Sequence, residues 1–317
     1  MSLKNQQGIA LITILMMVAL ATIIAATIAQ HQRDTFEHTA SLMRQNQSLY
    51  YAQSAEAFFS ELLKEDAKST GDVDYLQEAW AKPMPALPVE GGMISGLLLD
   101  ESGKFNLNHL VNKDGSANLN AQHYFEQLLK RVGLVPESAQ AVIDWMDPDD
   151  LVIGAMGAES AYYGSLQPAY AVSNTWLQSK EELKQIRGFE GEKYQLIAPY
   201  VTAMPDLDSK ININTAPALV LAAIDDSVQV NQVAQLMQQR QLNMKYFSNV
   251  GELWQLAPFQ QLDEAHKQLA NELFGVSSVF FKAQIEVNLD QGKRQMSSYL
   301  LRHEDKVSVY ARSLAPF

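Results

Sequence analysis

The sequence contains no cysteine. Disulfide staples, zinc thiolate sites, iron–sulfur clusters and a cysteine nucleophile are thereby excluded, and stability must come from packing or from a bound ion. Proline and glycine are absent from Ile9 to Thr70, so neither of the residues most costly to a helix interior interrupts that stretch. Basic charge is scarce: 24 Lys and Arg stand against 36 Asp and Glu, a net charge of −12. Such a surface is poorly suited to nucleic acid or anionic lipid, which want clustered Lys and Arg. What is present is 317 residues, 47% of them hydrophobic, enough for one or two domains with cores of their own.

The proline-free stretch opens with an uncharged run of 21 residues, Ile9 to Ala29. As a helix it spans about 31 Å, the thickness of a bilayer's hydrocarbon core. Lys4 lies on its N-terminal side, so the positive-inside tendency leaves the N-terminus in the cytoplasm and the bulk of the chain outside. Three readings compete. The run is a cleaved secretory signal ending near Thr27-Ile28-Ala29, a plain uncleaved anchor, or the start of a prepilin-type helix. The last has Gly8 directly before the run, with cleavage between Gly8 and Ile9. The residues after Ala29 favour it. Phe36, Met43, Tyr50 and Ala57 recur every seven residues, and Leu42, Leu49, Phe58, Phe59, Leu62 and Leu63 broaden that face. The pattern predicts one helix of about 60 residues, roughly 90 Å long, apolar all round in its first half and one-sided in its second. A cleaved signal has no reason to continue into such a helix.

Beyond Thr70, residues 83–92 (Pro-Met-Pro-Ala-Leu-Pro-Val-Glu-Gly-Gly) read as a loop, and Gly92 to Asp100 as a strand. Residues 105–274 carry helical signals near 120–132, 136–146, 179–187, 191–199, 215–225, 228–241, 248–256 and 263–273. Strands return at Val279–Leu289, Met296–His303 and Val307–Leu314, with turns at Asp290-Gln291-Gly292-Lys293 and His303-Glu304-Asp305-Lys306. The expected fold is α+β: one antiparallel sheet packed on the long helix (residues 30–104 and 275–317), with an all-α domain inserted at 105–274.

Within the helical block, Lys104-Phe105-Asn106-Leu107-Asn108 parallels Lys210-Ile211-Asn212-Ile213-Asn214, and Glu182-Leu183-Lys184-Gln185-Ile186 parallels Glu252-Leu253-Trp254-Gln255-Leu256. The two landmarks are 106 and 70 residues apart, so the first half carries 36 extra residues if the repeat is not a chance recurrence. Asn214-Thr215-Ala216-Pro217 reads as a helix start with Asn or Thr as the cap. This second half resembles helix-hairpin-helix (SAM-like) modules, which bind DNA backbone through the N–H groups of a glycine turn. Ala257-Pro258-Phe259-Gln260 has a proline at that place, and Gly188-Phe189-Glu190-Gly191 an acid, so DNA binding is not expected.

The extra residues hold the chemistry-bearing stretch: Asp144, Asp147, Asp149 and Asp150 within seven residues, then Gly157-Ala158-Glu159 and Tyr162-Tyr163-Gly164. Carboxylates so crowded repel unless they are solvated or share a cation, and a hard ion with six to eight oxygen ligands suits them, Ca²⁺ before Mg²⁺. Asp147 and Asp149 fit the first and third places of an EF-hand, but Val152 stands where Gly is required and Glu159 comes one residue late, so the loop is not an EF-hand. The alternatives are solvated acids after a helix, or Asp residues capping the next turn. A glycosidase-like acid–base pair has no accompanying aromatic cluster.

Together, the Gly8/Ile9 junction, the Asp-x-x-Asp-x-Asp-Asp…Gly-Ala-Glu…Tyr-Tyr loop, Glu181-Glu182-Leu183…Arg187-Gly188-Phe189 and Ile211-Asn212-Ile213-Asn214-Thr215-Ala216 resemble the GspK family, the large minor pseudopilins of type II secretion systems, over nearly the whole chain. The resemblance implies removal of Met1–Gly8 by the prepilin peptidase, which takes the charge to −13 with Lys4, and N-methylation of Ile9. It also implies a pilin fold with an inserted α-domain, a single-pass inner-membrane anchor and a periplasmic body. Structural Ca²⁺ at Asp144, Asp147, Asp149, Asp150 and Glu159 is implied, with Asn174 a further candidate ligand. The implied place is the pseudopilus tip, beside I- and J-type minor pseudopilins and inner-membrane assembly components, without catalysis. Major pseudopilins carry Glu at the fifth mature residue; here that place is Thr13, in keeping with a subunit that has nothing above it. The alternative is a minor pilin of a type IV pilus with an adhesion or DNA-uptake role; an enzyme is a distant third.

Overall fold

The computed structural model describes residues 6–69, 71–289 and 292–317. Residues Met1 to Asn5 of the expected leader, Thr70 at the expected helix end, and Asp290 and Gln291 of the expected hairpin turn lie outside the described residues. Helix α1 (Gln6–Ser69) is unbroken over 64 residues, about 96 Å at 1.5 Å per residue. Its N-terminal part is long and apolar enough to cross a membrane and is not buried against the rest of the chain.

Strands β1 (Met84–Val89) and β2 (Gly92–Asp100) follow. The chain then runs through β3 (Phe105–Asn106), α2 (Leu119–Arg131), α3 (Ala139–Met146), α4 (Ser160–Gly164), α5 (Glu192–Ile197) and β4 (Val201–Thr202). Next come β5 (Ile211–Asn212), α6 (Ala218–Ala222), α7 (Val230–Leu242), α8 (Glu264–Leu273) and β6 (Phe274–Gly275). It returns as β7 (Phe280–Leu289), β8 (Gly292–His303) and β9 (Lys306–Ser313). The sheet order is β1-β2-β7-β8-β9, all antiparallel, with β2 paired to β7 from Gly92↔Leu289 to Asp100↔Phe281. The helical block thus leaves and re-enters the sheet between two adjacent strands. Phe281, Ala283, Ile285 and Val287 alternate along β7 onto the α1 side and join a core with Ala52, Ala55, Phe59, Leu63, Trp80 and Leu98. The block has its own core around Phe105, Tyr124, Phe125, Phe189 and Phe274.

Four expectations need correction. Residues 84–89 are a strand rather than a loop: β1 is an edge, where Pro85 and Pro88 need no ladder N–H, and a register shift between Met84 and Leu87 absorbs the irregularity. Second, the Phe36–Met43–Tyr50–Ala57 row of the expected face is exposed, as are Leu42 and Phe58, whereas its Phe59 and Leu63 are buried and its Leu49 and Leu62 pack against the sheet core. The buried face is Ser48, Ala52, Ala55, Glu56, Phe59, Leu63 and Asp66. Alanines let the helix come close; Gly96 of β2 lies against the Phe59 ring, where a Cβ would meet ring carbons at 3.0 Å. The polar members of the face are paired, Glu56 with Arg312 and Ser298, Ser48 with Arg294, and Asp66 with Arg302. Third, Asn214 and Thr215 do not cap the following helix, which starts after Pro217 without a side-chain cap. Asn214 instead bonds Phe247 and Thr215 bonds Asp100. Fourth, the segments at 180–185 and 250–255 are 3-10 rather than α-helical.

The internal repeat is real in three dimensions. Asn108 exchanges two hydrogen bonds with the backbone of Leu177 (3.0 and 2.9 Å), and Asn214 does the same with Phe247 (3.0 and 2.7 Å). Glu182 accepts from Gln178 N and Glu252 from Ser248 N at 2.7 and 3.0 Å. In the first copy's turn, the Gly188 N–H is taken by the Glu190 carboxylate at 3.1 Å, so it is not offered to a phosphate.

Candidate metal centre

Asp144 lies in the last turn of α3 and Asp147 is the first residue beyond it, its N–H still bonded to Ile143 O at 2.9 Å. A spacing of three places both carboxylates on one side of the helix end. The chain then loops through residues 148–158 and comes back with Glu159 immediately before α4. One carboxylate oxygen from each of Asp144, Asp147 and Glu159 lies within 4.8 Å of the others, and the three residues are at most 5% exposed.

Hydrogen bonds shape the loop without satisfying the acids. Ile153 N–H donates to both oxygens of Asp144 at 3.2 Å. Gln140 accepts from Met156 N at 3.0 Å, and Arg187 donates to Gly157 O at 2.9 Å while lying over the Tyr162 ring. Gly157 has no room for a side chain, because a Cβ there would run into Asp144 Oδ2 and the Ile153 carbonyl. The Trp145 ring packs edge to face with those of Tyr163 and Tyr170, which lie tilted against each other. Yet Asp147 Oδ1 and both oxygens of Glu159 are buried with no hydrogen-bond partner.

Asp149 and Asp150 are exposed rather than gathered into this cluster. Asp149 accepts from Leu151 N at 2.8 Å and Asp150 from Ser160 N at 3.2 Å, which ties the loop's two ends at its rim. Asn174 holds a left-handed backbone (φ 48) and donates its N–H to Trp145 O at 3.0 Å. The loop-bracing roles of Gln140, Gly157 and Arg187 were not evident from the sequence; the Gly157-Ala158-Glu159 and Arg187-Gly188 strings marked two of the places without their partnership.

The electrostatics follow from the geometry. Burial pushes the Asp144 carboxyl up to about 6, against the pull of the Ile153 and Ala158 N–H groups and with Asp147 adding repulsion. Burial and then Asp149 push Asp147 up to about 6. Glu159 rises to about 7, through burial first and then Asp144 and Asp147. Three converging carboxylates, with orphaned oxygens on Asp147 and Glu159 and no facing cation among the described residues, make a hard-oxygen donor set that fits Ca²⁺.

Comparison with known proteins identifies the family of the chain. Two family models, both described as Type II secretion system (T2SS), protein K, match residues 103–206 and 211–277, one on each copy of the repeat. The chain is 30% identical to the Type II secretion system protein K of Aeromonas hydrophila, over 99% of this chain and 98% of that one. It is also 30% identical to the protein of that name from Pseudomonas aeruginosa, over 98% and 93%. In fold it is similar to a chain of the crystal structure of the GspK-GspI-GspJ complex from the enterotoxigenic Escherichia coli type 2 secretion system. The TM-score is 0.79 at 24% identity, covering 88% of this chain and all of that one.

Proposed function

The chain belongs to the type II secretion system protein K family, a minor pseudopilin, and from that premise we propose that it forms and caps the tip of the periplasmic pseudopilus. The observation that carries the proposal is the placement of the helical block: residues 105–274 leave and rejoin the sheet between neighbouring strands, so the pilin body bears a second body beside it. A subunit of that width has no room for another above it and is suited to the end of a filament. Its partners are I- and J-type minor pseudopilins, as in the complex that the similar solved structure contains. The apolar half of α1 anchors it in the inner membrane with the globular part in the periplasm, after the prepilin peptidase has cut between Gly8 and Ile9 and methylated Ile9. Ca²⁺ is held by Asp144, Asp147 and Glu159, with Asp149 and Asp150 at the rim, and orders a loop that has few hydrogen bonds of its own. The role is structural; type IV pilus membership is not favoured, since the family is that of the secretion system.

The test is co-purification of the full chain from detergent with I- and J-type subunits, beside thermal melts with Ca²⁺ and with chelator. A stable ternary complex, and a Ca²⁺-dependent rise in Tm that disappears in the Asp147→Ala, Glu159→Ala double variant, is expected. Failure to bind either partner overturns the tip assignment, and a Tm indifferent to Ca²⁺ overturns the metal assignment.

A further inference from the structure

A second set of buried carboxylates lies outside the loop centre. Asp66 is in the last turn of α1, and Asp74 and Glu78 are on the connection to β1. They are 6%, 1% and 5% exposed, and one oxygen from each lies within 4.8 Å of the others. That is within the spread of oxygens around one Ca²⁺, whose ligands sit at about 2.3–2.6 Å from the ion. Arg302 of β8 reaches the group: it donates to Asp66 Oδ2 at 3.1 Å, to Asp74, and to the Ser278 carbonyl at 2.8 Å. Glu78 Oε2 accepts from Tyr75 N (2.9 Å) and from the Trp80 indole (2.7 Å), while its Oε1 is buried without a hydrogen-bond partner.

With all three carboxylates ionised, the one guanidinium that reaches them among the described residues leaves two negative charges in a buried place, an arrangement that burial penalises strongly. One divalent cation closes the balance, and the orphaned Glu78 oxygen supplies a ligand otherwise wasted. We propose that Asp66, Asp74 and Glu78 form a second site for a hard divalent cation of the Ca²⁺ class. Its place gives it a task. Asp74 N–H bonds Val276 O (2.9 Å), Asn212 bonds the Asp74 carbonyl (3.0 Å), Ser278 N–H bonds Asp74 Oδ2 (2.7 Å), and Tyr75 stacks on Tyr246 at 4.1 Å. An ion here ties the end of the long helix to the point at which the helical block returns to the sheet, so it fixes the block's attitude on the pilin body.

The test uses the full chain in detergent carrying Asp147→Ala and Glu159→Ala, which disable the loop centre, titrated with Tb³⁺ as the Ca²⁺ probe. Trp80 touches Glu78, so Tb³⁺ bound there emits on tryptophan excitation. One equivalent of Tb³⁺, displaced by Ca²⁺, is expected to bind this variant. Adding Glu78→Gln weakens binding by more than roughly tenfold, the loss that even an outer-shell change brings about. Trp80→Phe dims the emission while equilibrium dialysis still finds the equivalent bound. Metal counting on the chain with its loop centre intact supplies the check should Glu78→Gln not fold: two equivalents of Ca²⁺ are expected. No equivalent in the double variant overturns the second site, whereas one equivalent in both chains overturns the loop centre instead.

Discussion

Glu159 brings two buried oxygens without partners to within reach of Asp144 and Asp147, and the sign of its contribution to stability depends on what fills that space. Its carboxyl, pushed up to about 7, and those of Asp144 and Asp147, pushed up to about 6, titrate above the unfolded-chain values of about 4. A carboxyl whose folded pKa is raised binds its proton more tightly in the native state. Without an ion, its contribution is therefore fully present below about pH 4 and lost as pH rises through about 6 to 7. The proposed calcium ion needs the ionised form, so its effect runs the other way. In chelator, Tm falls between about pH 5 and pH 7.5; in Ca²⁺ the gain over chelator grows across the same window, and differential scanning fluorimetry checks both slopes. Glu159→Gln removes the charge at nearly constant shape. That variant melts above the unsubstituted chain in chelator at pH 7.5, yet lacks the gain of about 2.7 kcal/mol that Ca²⁺ at 100 times its Kd gives the unsubstituted chain. If Ca²⁺ stabilises both equally, Glu159 is not a ligand.

Among the elements, the two asparagine clamps show what the sequence made legible. Lys104–Asn108 and Lys210–Asn214 were visible as parallel strings, and the pairs they form, Asn108 with Leu177 and Asn214 with Phe247, preserve the 70-residue offset of the Glu182 and Glu252 strings. The 36 extra residues fall between Asn108 and Leu177 and contain the acidic loop. Each asparagine pairs a buried backbone N–H and C=O on a distant segment, so Asn108→Ala or Asn214→Ala strands two polar groups at about 1–3 kcal/mol each. Urea unfolding of each variant should show a loss of about 2–5 kcal/mol with unchanged slope; a loss under about 1 kcal/mol would mean that water replaces the clamp. Strand and helix positions were legible for the same reason as the repeat, because their periods are local. The face by which α1 meets the sheet was legible only at Leu49, Phe59, Leu62 and Leu63. It pairs Glu56 with Arg312 and Asp66 with Arg302, partners more than 230 residues away, and such pairings leave no mark on local hydrophobic spacing. Proline likewise hid β1, since its tolerance at a sheet edge depends on where the strand lies.

For the whole molecule, the misassigned stripe has a consequence. Phe36, Met43 and Tyr50 recur every seven residues along α1 and are 73%, 68% and 69% exposed, with Phe58 beyond them half exposed. The fold makes no use of this row, whose spacing is that of a helix seam against other helices. On the proposed tip assignment, a seam on the outer face of a helix that continues into the membrane segment is where I- and J-type helices would lie alongside it. Replacing Met43 and Tyr50 by Glu touches no core residue, so the isolated subunit should keep its stability within about 0.5 kcal/mol. Phe59→Ala, on the buried face, should cost about 3–5 kcal/mol. The same Met43→Glu, Tyr50→Glu variant should lose co-purification with the I- and J-type subunits while retaining its calcium response, because the loop centre belongs to the other core. Phe59→Ala should weaken partner binding only in proportion to the unfolded fraction. A ternary complex that survives both glutamates would take the outer face of α1 out of the interface and move the contact onto the helical block.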